Sequence, residues 1–173
     1  MKNSLKVVTT PMCEEIVKIA GIKGYILSDN PSSYKVDVAI VLTETELSTK
    51  SIKIKLNTFS QIKDSIKMLK DEFGTVPLNY NIKNIKKTEE NRNIKIKVYS
   101  NFLKDIVEDM GFKIVEDNYN FVVYPDYMKD KINEIKDNIK IIEIPSHKNA
   151  PLNPIKRAEM RYNILEKELC TRP

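Results

Sequence analysis

The chain has 173 residues, 41% hydrophobic and 31% charged, with 29 Lys and Arg set against 24 Asp and Glu for a net charge of +5. That composition is globular and supports a core burying roughly 70% of the unfolded surface, and no apolar run approaches the ~20 residues of a membrane helix. The basic excess is small and dispersed, a weak nucleic-acid signal, because lysine alternates with isoleucine in Ile52-Lys53-Ile54-Lys55 and Ile94-Lys95-Ile96-Lys97 as on a solvated, guarded strand face.

In chain order, Leu5 to Val8 reads as a strand. Thr10 follows as an N-cap, Pro11 suits the first helical position, and Glu14-Glu15 complement the helix dipole, so a helix runs to Ala20 and closes on Gly21. Tyr25 to Leu27 is a short strand and Asp29 to Ser33 a loop. Val36 to Leu42 is nearly continuous apolar and β-branched, which predicts a strand covered on both faces at the centre of a sheet. Ile52 to Leu56 is the next strand. Thr58 and Gln61 form a capping box for a helix whose stripe is Ile62, Ile66, Leu69 and Phe73, ended by Gly74. Residues 75–93 are polar and read as a connection, with low order plausible at its middle.

The second half repeats the first. Ninety positions on, Val98 falls on Val8, Ser100 on Thr10, Ile106-Val107 on Ile16-Val17 and Gly111 on Gly21. Strands are predicted at Ile94–Val98 and Lys140–Ile144, with apolar segments at Phe112–Val115 and Phe121–Tyr124 and helices at Asn101–Met110, near Asp126–Lys136 with Met128, Ile132 and Ile135, and at Pro154–Leu169. The last helix aligns with Phe59–Phe73 only at an offset of ninety-six, which places six extra residues in the loop Pro145–Asn153. The predicted fold is therefore α/β: a three-layer single domain over 1–173 with a mostly parallel sheet, built from two similar Rossmann-like halves (1–74 and 94–173) joined by 75–93.

Matched positions are explained by shared packing, so the unmatched loop is the better place to look for function. In an open α/β sheet that loop and the Thr9-Thr10 turn both lie at the carboxyl ends of strands, where ligands bind. Three readings stay open for Cys13 at the start of its helix: core hydrophobe, ligand or nucleophile. Its alignment with Leu103 favours the core. His147 is the single histidine, which excludes a multi-histidine zinc site. Ser146, His147 and Lys148, with Lys156, Arg157 and Arg161 behind an Asn153-Pro154 helix start, suit a phosphate, a carboxylate or an acidic partner surface, against the alternative of a solvated basic face.

Glycine-rich phosphate loops, serine elbows, paired CxxC and HExxH are all absent. Catalysis is unsupported rather than excluded, and the sequence names neither cofactor nor metal. With no apolar leader after Met1 and two widely separated cysteines, Cys13 and Cys170, the expectation is a cytoplasmic protein with free thiols.

The segments Thr9-Thr10-Pro11-Met12-Cys13-Glu14-Glu15-Ile16, Ala20-Gly21-Ile22 and Val36-Asp37-Val38-Ala39-Ile40, with the strand leading into Phe59 to Gly74, resemble a half-domain of the class III substrate-binding proteins and the nitrogenase-like α/β fold. That resemblance implies two lobes holding a vitamin, metal chelate or metal between them. Thr10-Pro11-Met12-Cys13-Glu14 is similar to a Pro-Val-Cys-Glu segment in operon protein C of methyl-coenzyme M reductase, which implies a methanogen accessory protein; the richness in Lys, Ile and Asn agrees with an archaeal source. The leading expectation is a noncatalytic binding or assembly module with a crevice, lined by Thr9, Thr10, Cys13, Ser146, His147, Lys148, Lys156, Arg157 and Arg161, for a small anionic ligand or a protein partner. The competing expectation is a small thiol-dependent or cofactor-handling enzyme using Cys13 and His147.

Overall fold

The computed structural model describes residues 5–85, 87–132 and 138–170. Contacts divide the chain into two compact units, Met1–Lys83 with Leu152–Ile155 and Asn84–Pro151 with Lys156–Pro173. The first unit contains β1 (Val7–Thr9), α1 (Pro11–Ile19), β2 (Ile26–Leu27), β3 (Val38–Leu42), β4 (Ser51–Ile54) and α2 (Phe59–Phe73). Its four strands lie in the order β2-β1-β3-β4, all parallel. As its apolar run predicts, β3 is central, and Val38 to Val41 are buried.

Paired residues of parallel strands share a face, so Val7, Thr9, Ile40 and Ile54 point one way and Val8, Ala39 and Val41 the other. The second set packs under Val36 and Leu47 from the connecting segments. The helices α1 and α2 pack on each other and bury Cys13, Ile16 and Val17 with Ile62, Ile66 and Leu69. Fully burying one such Ile or Leu contributes about 1.5–3 kcal/mol before ordering entropy. At the start of α2 the expected capping box is present: Thr58 accepts from the Gln61 N–H, and the Gln61 side chain accepts from the Thr58 N–H at 3.2 Å.

The second unit contains β5 (Lys95–Val98), α3 (Asn101–Asp109), β6 (Lys113–Ile114), β7 (Phe121–Pro125) and β8 (Lys140–Ile144), with α4 (Pro154–Cys170) from Lys156 onward. Its sheet, β6-β5-β7-β8, is again all parallel and has the same order. The protein thus carries two four-stranded parallel sheets, one in each half. The alternation of β5 is as expected, with Lys95 exposed and Ile96 fully buried. On α4 the stripe Ala158, Tyr162, Leu165 and Leu169 is buried, and Asn153 caps its start by accepting from the Ile155 N–H at 3.0 Å.

Helix ends repeat to the level of single hydrogen bonds. The amides of Ala20, Gly21 and Ile22 donate to Ile16, Lys18 and Val17, and those of Met110, Gly111 and Phe112 donate to Ile106, Glu108 and Val107. Both are Schellman ends, with Gly21 and Gly111 at φ of +80° and +84°. The connection 75–93 serves them. Thr75 donates to the Ala20 carbonyl at 2.5 Å and the Asn91 amide to the Met110 carbonyl at 2.8 Å, so equivalent orphan acceptors are satisfied from either end of one polar segment.

Between β7 and β8, residues Asp126–Lys131 form a 3-10 run where an α-helix was expected. The shorter repeat suffices there, because Met128 and Ile132 both reach Val122 and Tyr124 on the sheet. The rest of that expected helix, with Ile135, lies outside the described residues.

Candidate functional site

The loop 145–153 joins β8 to α4, where only 55–58 joins β4 to α2. Its lengthened course lies at the carboxyl end of the second sheet, the edge at which open α/β sheets present ligands. A short turn opens it, the Asn149 N–H donating to the Ser146 carbonyl at 3.2 Å. Asp126, the first residue after β7, accepts from the Asn149 side-chain amide at 2.6 Å. Ser146 is buried, whereas His147, Lys148, Asn149 and Lys156 are exposed.

The basic pair behind the loop is buried, Arg157 to 3% exposure and Arg161 to 4%, whereas Lys148 and Lys156 face solvent. Spacing by four residues puts both on one helical face, and the groups they meet come from elsewhere in the unit. Arg161 donates from Nε to the Pro145 carbonyl at 3.1 Å, and its guanidinium lies 4.4 Å from the centre of the Phe102 ring. Arg157 donates from Nη1 to the Pro151 carbonyl at 3.2 Å. These contacts fix the two ends of the loop.

Arg161 is pulled down to a pKa of about 10, first by burial and then by the positive charge of Arg157, with Asp126 and Tyr127 opposing. It remains cationic at neutral pH. Among the described residues no carboxylate lies within ion-pair distance of Arg161; Asp126 acts on it from further off. Burial pushes the Asp126 carboxyl up, but the Asn149 hydrogen bond and the nearby Ser146 and Tyr127 donors outweigh it and hold the pKa below the usual aspartate value. Even so, Asp126 Oδ1 is buried and receives no hydrogen bond of full geometry. The arrangement sets two guanidiniums near enough for Arg157 to act on Arg161, with the Asp126 carboxylate close enough to moderate that charge.

The remaining expected site residues lie in the first unit. Thr9 is fully buried and donates from Oγ1 to the Ile40 carbonyl at 2.9 Å, a cross-strand tie. Thr10 holds the N-cap conformation without a side-chain cap bond, whereas its counterpart Ser100 accepts from the Leu103 N–H. Cys13 is fully buried in α1, as Leu103 is in α3. Sequence reasoning missed Phe102, Asp126 and Asn149. The signal for Phe102 was its place in the first turn of a helix after a strand, and for Asp126 its place just past the carboxyl end of β7.

Among the described residues no group of three or more His, Cys, Asp or Glu is placed to hold a metal ion, and no helix is long and apolar enough to cross a membrane. No family model and no curated protein matches the chain. Among solved structures it is similar to a Zn(II)-bound variant of AdcAII from Streptococcus pneumoniae, with 7% identity, 96% of this chain and 100% of that chain covered, and a TM-score of 0.47. At that score the likeness carries no functional argument.

Proposed function

We propose that this protein is a noncatalytic binding or assembly module that takes an anionic group, on a small ligand or on a protein partner, at the carboxyl end of its second sheet. The observation that carries this reading is the buried Arg161, cationic, crowded by Arg157 and without a carboxylate at ion-pair distance among the described residues. A bound carboxylate or phosphate relieves both the desolvation and the mutual repulsion, and a fork of guanidinium donors suits its geometry. His147, Lys148 and Lys156 provide exposed positive or polar groups around that centre. An archaeal, methanogen-type accessory role rests on the short Thr10–Glu14 likeness.

Thermal unfolding in inorganic phosphate tests this reading. A saturable rise in Tm is expected beyond that in sodium chloride of equal ionic strength, since a ligand of the native state stabilises by mass action. Arg161→Lys keeps the charge but loses the planar fork, and reduces the rise. Equal Tm in the two salts would refute a phosphate site. The thiol-dependent alternative gains no support from Cys13, whose side chain is fully buried.

A further inference from the structure

We infer that the outer edge of β4 is a docking strand for an extended partner segment in which acidic and apolar side chains alternate. Among the described residues β4 pairs only with β3, so one edge of it is open. The Ala39 and Thr43 amides donate to the Lys50 and Ile54 carbonyls, which turns the backbone of the even-numbered residues toward β3. By alternation Ser51 and Lys53 direct two N–H and two C=O groups outward, the template for an added strand. Beside this edge runs a groove of about 380 Å³, lined on the strand side by Lys53, Ile54 and Lys55 and on the α2 side by Gln61, Asp64, Ser65 and the half-exposed Met68.

The two sides of the edge differ in chemistry. On one, Lys53 and Lys55 are exposed with side chains on the face opposite Ile54. On the other, the groove offers the half-exposed Met68, with Ile54 buried and the exposed Asp64 in its lining. An added strand therefore places alternate residues over the lysines, where carboxylates are favoured, and the intervening ones over the groove, where apolar groups are favoured and Asp64 repels acid. The lysines also disfavour pairing with the same edge of a second copy.

The test is an amide NMR titration of the whole protein with a seven-residue peptide alternating Glu and Val, and with its Lys/Val counterpart. Expected are saturable shifts and slowed exchange at the Ser51 and Lys53 amides with the Glu peptide, preferred over the Lys peptide by about tenfold or more. Lys53→Glu/Lys55→Glu, at two exposed positions, inverts that preference. Unmoved Ser51 and Lys53 amides, equal response to both peptides, or an unchanged preference in the double variant would each overturn the assignment.

Discussion

Cys13 and Arg161 have exchanged the roles their side chains suggest. A cysteine at a helix N-terminus invites nucleophilic chemistry, yet Cys13 fills a core position; an arginine on a polar helix invites solvation, yet Arg161 lies under a loop with an aromatic ring against it. Native alkylation followed by intact-mass analysis is expected to add one label, at the exposed Cys170, and a second only after denaturation. Fast double labelling of the folded protein would restore the thiol reading. Asp126 gives a pH test. Its folded pKa is lowered, so its contribution is present above the unfolded value and is lost as pH falls through the folded one. Wild type is expected to exceed Asp126→Asn in urea midpoint near neutral pH, with the gap closing below about pH 4. A gap that persists in acid would assign the effect to shape rather than charge.

At the scale of elements, the capped helices are the most legible part of the sequence, because their determinants are local. Thr58-x-x-Gln61, Ser100, Asn153 and the glycines after α1 and α3 each act within a turn or two of chain. What the sequence did not show is that 75–93 supplies hydrogen bonds to both helix ends, since Thr75 and Ala20 are far apart in the chain. Asn91→Ala is expected to cost about 1 kcal/mol by leaving the Met110 carbonyl without its donor, measured as a shift in urea midpoint. Gly21→Ala is expected to cost more than Gly111→Ala. Both require positive φ, but an added Cβ at residue 21 would run into the Val76 carbonyl oxygen, whereas at 111 it would meet Lys87 side-chain atoms at ordinary contact distance. Equal losses would mean that 75–78 yields readily.

At the scale of the molecule, one fold is used twice, and the copies differ where β8 leads into α4, by 145–153 against 55–58. The sequence located that difference by comparison with itself, and the basic residues beside it were visible. Their burial was not, because it depends on Phe102 from α3 and Pro145 from the end of β8, which no local pattern connects to Arg161. Separate sheets were likewise illegible: strand periodicity reports which face is covered, not which strands join. The central claim is that the buried arginines form an anion site, and titration calorimetry with inorganic phosphate at constant ionic strength tests it most directly. The account predicts saturable one-to-one binding to the wild type, weakened about tenfold or more, or about 1.4 kcal/mol, in Arg161→Lys that retains its fold by circular dichroism. No saturable heat with the wild type, or equal affinity in the two proteins, would contradict it.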